Sequence, residues 1–532
     1  MGSTSPRDGV GRREVVLGSL AAGAFAGRVF AAEAAAPVAR TTAGRVRGYD
    51  DTGVSVFRGI RYGGNTSERR FRPPAAPLPW REVRDALEYG PASPQRSSEP
   101  NQSEDCLFLN VWTPGLRDGR RRPVMVYIHG GAYATGSGSS PLTDGANLAR
   151  RGDVVVVTVN HRLNVFGYAY LARLGAPEFF ADSGNAGQLD LLLALQWVRD
   201  NIAEFGGDPR KVMVFGQSGG GAKIATMMAM PVFAGLFHRA ATMSGQQVTA
   251  SGPLNATRRT LAWLNALKLR PDQLGELRRL PAERLVEGLA AEDPVLGFGG
   301  IYFGPVLDER SLRRHPFYPD APPQSARIPM IIGNTHDETR AFLGNDPTNF
   351  TVTWDQLPAK LTFANMRVDI LPETVIAEYR RFYPQYTASE VLFSATTAAR
   401  SWRAAVIEAE ERAKQGSPAW VYQLDWGSPR EGGKFRAHHT LDIPLVFNNL
   451  AAAGEVTGTS PGARAVADAM TEAFLAFART GDPNHRRLPR WDRYTLPRRR
   501  TMIFDVPPRM QDDPRGAERR LFAKVPYVQP GT

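Results

Sequence analysis

Unbroken runs of apolar, mostly β-branched residues recur along the chain. They cover Val124–Ile128, Val154–Val159 and Val212–Phe215, and a later run covers Ile328–Gly333. Continuous apolar runs suit strands that are buried on both faces, as in a parallel sheet covered by helices. Leu189–Phe205 instead repeats its apolar residues at helical spacing, which predicts a helix between the second and third runs. The alternation predicts an α/β fold with a doubly wound, mostly parallel central sheet.

Shorter patterns extend this fold toward both ends of the chain. Arg45–Tyr49 and Val54–Gly59 predict two strands around a Gly/Asp turn. Helical patterns over 254–292 and 354–415 interrupt the rhythm of strands, and we expect them to form insertions that cap the sheet. No linker and no repeat follow Val38, so residues 35–532 are predicted to form one α/β domain.

Composition excludes several classes of protein. With 42% hydrophobic and 22% charged residues in 532, the chain is globular and not disordered or fibrous. No run of 18 apolar residues occurs, so no stable membrane insertion is expected. The single cysteine, Cys106, excludes an internal disulfide and a multi-cysteine metal site. No P-loop, zinc, calcium or dinucleotide motif is present, and we predict no metal and no cofactor.

The formal net charge of +12 raises the question of a nucleic-acid partner. The basic residues are scattered, with short clusters such as Arg120–Arg122 and Arg498–Arg500 and no long basic run. A nucleic-acid binder concentrates its charge on one face or tail. We therefore predict no nucleic-acid partner. The sequence leaves the oligomeric state open.

The N-terminal residues predict an export signal. Arg12 and Arg13 precede a weakly apolar Ala/Gly stretch, and small residues at Ala32 and Ala34 suit cleavage near Ala34. The paired arginines indicate the twin-arginine route, which carries folded proteins. Residues 1–34 are thus interpreted as a twin-arginine-type signal, and the mature chain is expected to be periplasmic or secreted. The alternative is a chance arginine pair in an arginine-rich chain.

Two glycine-rich turns carry the candidate chemistry. Gly216-Gln217-Ser218-Gly219-Gly220 follows a predicted buried strand and opens a helix, the context that a nucleophilic serine at a strand-to-helix turn requires. The segment from His129 to Tyr133 ends another predicted strand, and its small residues would let backbone amides approach a reacting carbonyl. The alternative for the first turn is a glycine-rich connection without catalytic role.

The surrounding residues resemble the type B carboxylesterases, the cholinesterase-like branch of the α/β-hydrolases. Phe205-Gly206-Gly207 and the residues from Val212 to Gly220 are similar to that family's serine signature, and Glu104–Val111 resembles its second signature. The resemblance continues to Gly481-Asp482-Pro483-Asn484 and spans about residues 40–505. It implies an α/β-hydrolase fold and an enzyme that hydrolyses small carboxylic esters through an acyl-enzyme, with no cofactor.

The resemblance also implies roles for individual residues. Ser218 would be the nucleophile, and the amides of Gly131, Ala132 and Gly219 would form the oxyanion hole. Ser244 resembles a serine that lies beside the catalytic acid in the family.

Acid and base are each chosen from an adjacent pair. Glu338 is implied as the acid, with Asp337 as the alternative. His439 is implied as the base rather than His438, because only His439 stands in frame with Asp442-Ile443-Pro444 as the family pattern requires.

Some residues depart from the family pattern. The position expected for a disulfide partner of Cys106 holds Ser93, so we expect a free, buried thiol. Gln217 replaces a glutamate common beside the nucleophile. Arg61, with Arg69 and Arg70, lies in the segment that resembles the pocket entrance, and these changes predict a preference for neutral or anionic esters.

Two other functions stay open at this point. An amidase or carbamate hydrolase could use the same triad, since the triad does not distinguish their leaving groups. A non-catalytic cholinesterase-like binding module is the alternative from another class.

Overall fold

A large mixed sheet runs through the described part of the chain, which comprises residues 36–175, 178–529 and 531 of a computed structural model. The predicted export signal, residues 1–34, lies outside the described residues. The strands are β1 Val38–Arg40, β2 Arg45–Arg47, β3 Tyr49–Asp51, β4 Val54–Arg61, β5 Val83–Asp85, β6 Phe108–Thr113, β7 Arg122–Ile128, β8 Val155–Val159, β9 Gly207–Gln217, β10 Arg239–Met243, β11 Met330–Thr335, β12 Ala419–Leu424, β13 Arg500–Phe504 and β14 Arg509–Asp512.

The large sheet has the strand order β14-β13-β12-β11-β10-β9-β7-β8-β6-β4-β3. Neighbours from β13 to β8 are parallel, whereas β6, β4 and β3 at one edge and β14 at the other pair antiparallel. The short strands β1, β2 and β5 form a separate small sheet. The predicted mostly parallel sheet is confirmed, with antiparallel strands added at its edges.

Helices cover both faces of this sheet. Their bounds are α1 Ala146–Gly152, α2 Asn164–Tyr168, α3 Ala186–Asn201, α4 Gly219–Met228, α5 Pro253–Ala266, α6 Ala282–Glu287, α7 Arg340–Leu343, α8 Leu357–Lys360, α9 Phe363–Met366, α10 Pro372–Phe382, α11 Ala388–Thr396, α12 Arg403–Lys414, α13 Asp442–Phe447, α14 Leu450–Ala453, α15 Pro461–Thr480 and α16 Gly516–Phe522. A π-helical turn, Thr397–Trp402, joins α11 to α12. No helix within the described ranges is long and apolar enough to cross a membrane.

The two-sided covering explains why the strands are apolar without alternation. In β8, Val155 and Val157 belong to the core cluster that contains Val198 of α3, whereas Val156 belongs to the opposite cluster with Phe474 of α15. Successive side chains of a strand point to opposite faces, so both faces must be apolar when both are buried. Each buried valine contributes roughly 1.5–3 kcal/mol of transfer free energy.

The structure also corrects some predicted element bounds. The strand predicted over Arg45–Tyr49 is divided into β2 and β3 at Gly48, since the backbone there lies so close to β4 that an added Cβ would be 2.2 Å from the Val56 carbonyl oxygen. The predicted helix Leu189–Phe205 is α3 and ends before the left-handed turn at Gly206, whose φ is 74°. The predicted helical insertion 354–415 forms α8 to α12, and Ala405 and Ala409 of α12 pack into the sheet's own core.

Candidate active site

Ser218 lies in the turn between β9 and α4 with strained backbone angles, φ 55° and ψ −127°. A non-glycine residue in such a region costs of order 1–3 kcal/mol, and the surrounding structure must hold it there. An added Cβ would lie 2.7 Å from the Ile128 carbonyl oxygen at Gly216 and 1.9 Å at Gly220. The Ser218 amide donates to the carbonyl oxygen of Met243 at 2.8 Å. The glycines thus allow the tight turn that presents the serine at the carboxyl end of the sheet.

Glu338 and His439 meet at the same edge of the sheet. Glu338 follows β11, and its Oε2 accepts a hydrogen bond from Nδ1 of His439, which lies just before α13. Oε1 accepts from the amide of Thr335 at 2.8 Å and from Nδ2 of Asn334 at 3.2 Å. Burial alone would raise the pKa of this carboxyl, but electrostatic attraction to His439 and the hydrogen bonds hold the pKa below its ordinary value. The carboxylate therefore stays ionised and fixes the imidazole.

The alternative acid and base point elsewhere. Asp337 lies 2.9 Å from Nδ1 of His336 and 3.2 Å from Nε of Arg340. Although burial opposes ionisation, these partners lower the pKa of Asp337 to about 2. His438 donates from Nδ1 to the carbonyl oxygen of His439 at 2.8 Å, and its pKa is lowered by burial. Neither Asp337 nor His438 lines the cavity that contains Ser218.

Ser218 and His439 face one cavity of about 140 Å³. The ring of Phe342 covers the imidazole, with 4.8 Å between ring centroids. The lining residues are Ala132, Ser218, Gly219, Ala222, Ser244, Gly245, Gln246, Gln247, Tyr302, Phe342, Arg400, Ser401, Ala404, His439, Tyr527 and Gln529. A hydroxyl and a carboxylate-bound imidazole in one cavity are the groups that nucleophilic acyl transfer requires.

The amides predicted to bind an oxyanion converge beside Ser218. Gly131 and Ala132 have positive φ angles of 79° and 53°, and Gly219 is the first residue of α4. The two segments touch, since an added Cβ on Gly219 would lie 2.0 Å from the Ala132 carbonyl oxygen. Within the part of the chain that the structure describes, none of these three amides donates a hydrogen bond. They are available to an oxygen that acquires negative charge near a helix N-terminus.

Lys223 is a residue of this site that sequence reasoning missed. Its side chain is fully buried, and Nζ donates to the carbonyl oxygens of Ala132 at 2.8 Å and His129 at 3.2 Å. Nζ also lies 5.4 Å from the centre of the Tyr133 ring. Burial lowers the pKa of Lys223 to about 7. The available signal was a single lysine inside the otherwise apolar and small-residue run of α4.

Gln217 and Ser244 contact the predicted triad from two sides. The side-chain nitrogen of Gln217, itself buried, lies 3.3 Å from Nε2 of His439, a contact that the sequence did not indicate. Ser244 lines the cavity and contributes to the lowered pKa of Glu338, although its hydroxyl forms no well-aligned hydrogen bond with that carboxylate. The sequence placed Ser244 beside the acid, and the structure brings it there.

The arginines that the sequence assigned to the pocket entrance are occupied by other partners. Arg61 pairs with Asp105 at 2.6 Å, and Arg70 donates to Glu104 at 2.7 Å. Arg69 donates to a backbone carbonyl, and none of the three lines the cavity. Their contacts give no support to a role of these arginines at the pocket entrance, and the preference for neutral or anionic esters stays a prediction. The permanent positive charge in the cavity is Arg400, which the sequence did not single out.

Metal ligands and the lone cysteine add nothing to the site. Among the described residues, no group of three or more His, Cys, Asp or Glu is arranged to hold a metal ion. Cys106 is free and buried, and burial raises the pKa of its thiol.

A mostly parallel sheet with helices on both faces, and a serine in a strained turn between strand and helix, defines an α/β-hydrolase. A solved carboxylesterase of Geobacillus stearothermophilus superposes with a TM-score of 0.80 at 38% identity, covering 91% of this chain and 99% of that chain. A solved PNB esterase gives a TM-score of 0.78 at 33% identity, with the same coverage.

The family follows from sequence comparison. The model of the carboxylesterase family matches residues 35–522, and the chain belongs to that family and is a carboxylic ester hydrolase, as the sequence predicted. Para-nitrobenzyl esterase of Bacillus subtilis is 34% identical over 91% of this chain and 98% of its own length. Phenmedipham hydrolase of Pseudarthrobacter oxydans is 35% identical over 86% and 92%, and human carboxylesterase 3 is 32% identical over 89% and 88%.

Proposed function

We propose that this hydrolase is a serine carboxylesterase in which Ser218, His439 and Glu338 form the catalytic triad. Nε2 of His439 takes the Ser218 proton as Oγ attacks the ester carbonyl carbon. The amides of Gly131, Ala132 and Gly219 bind the oxyanion of the tetrahedral intermediate. The intermediate then expels the alcohol, which receives the proton from His439, and water hydrolyses the acyl-enzyme by the reverse sequence of proton transfers.

One observation carries the proposal. Ser218 and His439 line the same cavity, and Nδ1 of His439 is hydrogen-bonded to the buried carboxylate of Glu338. The carboxylate fixes the tautomer in which Nδ1 carries the proton and Nε2 has the lone pair that a base requires. Asp337 and His438 have other hydrogen-bond partners and do not line the cavity, which favours the same assignment.

Substitutions test the triad. Ser218→Ala and His439→Ala should each lower kcat for a 4-nitrophenyl ester by about 10⁴-fold or more. Ser244→Ala, a change of the same kind in the same cavity, should cost much less, and so should His438→Ala. Comparable losses in His438→Ala and His439→Ala would contradict the assignment of the base.

The acyl-enzyme has its own test. A fluorophosphonate should label the wild type on Ser218 and leave Ser218→Ala unlabelled, with the site identified by peptide mass spectrometry. A matched ester and amide of one acid would separate ester hydrolysis from the amidase alternative by their kcat/KM values. An unlabelled wild type without turnover of either would contradict the mechanism.

We also propose export by residues 1–34 ahead of one hydrolase domain, supported by the Arg12-Arg13 pair and the small residues that follow. Esterase activity of the full chain should appear in the periplasmic fraction or medium. The double change Arg12→Lys, Arg13→Lys should retain it in the cytoplasm. Equal distribution of both proteins would contradict this route.

A further inference from the structure

Arg400 is a charged residue in the catalytic cavity that has no ion-pair partner among the described residues. It lies in the π-helical turn between α11 and α12, and among the residues that line the cavity it alone carries a permanent charge. Its guanidinium carbon lies 4.8 Å from the centre of the Phe342 ring. Within the described residues its side chain forms neither an ion pair nor a hydrogen bond. π-Helical turns in α-helices occur frequently at functional sites.

A second arginine near the cavity, Arg367, also has no ion-pair partner among the described residues. Arg367 follows α9, its Nε and Nη1 are buried without hydrogen-bond partners, and it stacks on Phe298 at 5.0 Å. The charges of Arg367 and Arg400 both act on the phenols of Tyr302 and Tyr527, two lining residues. Asp293 is the carboxylate whose charge acts on Arg367, and it is already paired with Arg259. Arg400 therefore lines the cavity, and the charge of Arg367 adds to the positive field on the tyrosines that line it.

Several other buried arginines of this chain have the carboxylate partner that Arg400 lacks. Arg162 pairs with Asp190 at 2.6 Å, and Arg259 pairs with Asp293 at 2.8 Å. Arg515 likewise pairs with Glu518 at 2.7 Å. A buried charge is unfavourable unless it is paired and hydrogen-bonded, and burial lowers the pKa of Arg400 accordingly. A ligand that enters the cavity would supply the ion-pair partner that the described residues do not give to Arg400.

We infer that the preferred substrate is an ester that carries a carboxylate, which Arg400 binds while Arg367 adds to the positive field. The Phe342 ring contacts both groups, with its centroid 4.8 Å from the guanidinium carbon of Arg400 and 4.8 Å from the centroid of the His439 ring. Arg400 and His439 are thus separated by about one ring, and a carboxylate three or four carbons from the ester carbonyl is the length that we expect to match this separation while the carbonyl lies at Ser218. A guanidinium binds a carboxylate through two parallel hydrogen bonds, which suits this pair. This inference rests on the proposed function of the same cavity.

The test compares esters that differ only in charge. Mono-4-nitrophenyl glutarate and 4-nitrophenyl pentanoate share one acyl chain, ending in a carboxylate or a methyl group. 3-Carboxyphenyl butyrate and phenyl butyrate place the same difference in the alcohol. We expect the wild type to favour the anionic member of at least one pair by roughly 10- to 100-fold in kcat/KM. Rates are corrected for uncatalysed hydrolysis.

Variants assign the preference to its residues. Arg400→Gln should abolish the ratio, Arg400→Lys should restore part of it, and Arg367→Gln should reduce it. Arg61→Gln, which changes an arginine paired on the surface, should leave the ratio as in the wild type. Circular dichroism and melting temperature verify that each variant folds.

A measurement on the wild type alone tests the inference even if a variant does not fold. Glutarate should inhibit hydrolysis of phenyl butyrate competitively, and glutaramide should inhibit far more weakly. A ratio near or below one in both ester pairs, the same ratio in Arg400→Gln, or equal inhibition by the two compounds would overturn the inference. Absence of turnover of all four esters would instead contradict the proposed function.

Discussion

Replacing Lys223 by methionine tests how the segment with the oxyanion amides is held. Nζ of Lys223 binds the carbonyl oxygens of His129 and Ala132, the two ends of the turn that carries Gly131. Methionine keeps the length and apolar stem of the side chain but removes the ammonium group. No carboxylate among the described residues pairs with this lysine, and the nearby titratable groups are His129, His161 and Tyr133.

The size of the effect on stability follows from the pKa. Burial lowers the pKa of Lys223 from 10.5 to about 7. Between these values the unfolded chain binds a proton that the folded chain does not, so the free energy of unfolding rises with pH through this window. The slope is about 1.4 kcal/mol per pH unit, or roughly 3 kcal/mol between pH 7.5 and 9.5. Below about pH 7 this contribution no longer changes, because both states are protonated.

Urea unfolding at pH 7.5, 8.5 and 9.5 measures the slope. The free energy of unfolding of the wild type minus that of Lys223→Met should rise across the series, whereas Lys524→Met, a change at an exposed lysine, should give a flat difference. At pH 7.5, kcat of Lys223→Met should fall roughly 10-fold with a smaller change in KM, because the amides lose their support. Parallel pH profiles for Lys223→Met and the wild type would refute the reasoning.

Three further predictions concern neighbouring groups. Glu338→Gln should lower kcat/KM for a 4-nitrophenyl ester much more than Asp337→Asn, and the reverse ranking would move the acid to Asp337. Asp442 is buried with a pKa raised to about 7, so the folded state binds its proton more tightly and stability should fall as pH rises from about 4 to 7. Asp442→Asn should flatten that part of the urea-derived profile, and an unchanged slope would contradict the raised pKa. The Cys106 thiol should resist a thiol reagent in the folded protein and react once in urea, because it is fully buried; rapid reaction of the folded protein would contradict its burial.

The central strands could be predicted because their physical signal is local. The runs that became β7, β8, β9 and β11 are apolar on both faces, and this pattern alone indicates two-sided burial. β12 was not predicted, since its residues Ala419–Leu424 include a buried Gln423 that hydrogen-bonds Asp425. Its place in the sheet depends on pairing with β11 and β13, which lie far away in sequence.

The candidate triad could be predicted from the sequence for a different reason. Ser218 stands in a motif whose glycines are required by the turn itself, and the frame of residues after His439 distinguished it from His438. Gln217 and Lys223 gave no comparable signal. Gln217 joins β9 to the segment of His439, and Lys223 joins α4 to the segment of Ala132. Only the packed structure shows that these segments meet.

The arginines show most clearly which property the sequence does not reveal, namely whether a charged side chain has an ion-pair partner. Arg61 and Arg400 are equivalent by composition, and the entrance-like motif around Arg61 made it the better candidate on sequence grounds. The difference between them is a partner, since Arg61 forms an ion pair with Asp105 whereas no carboxylate among the described residues forms an ion pair with Arg400. A paired guanidinium joins two segments of the fold, and an unpaired one inside a cavity is free to bind a ligand. In an arginine-rich chain, therefore, the informative property of an arginine is the absence of an ion-pair partner inside a cavity, and that property exists only in three dimensions.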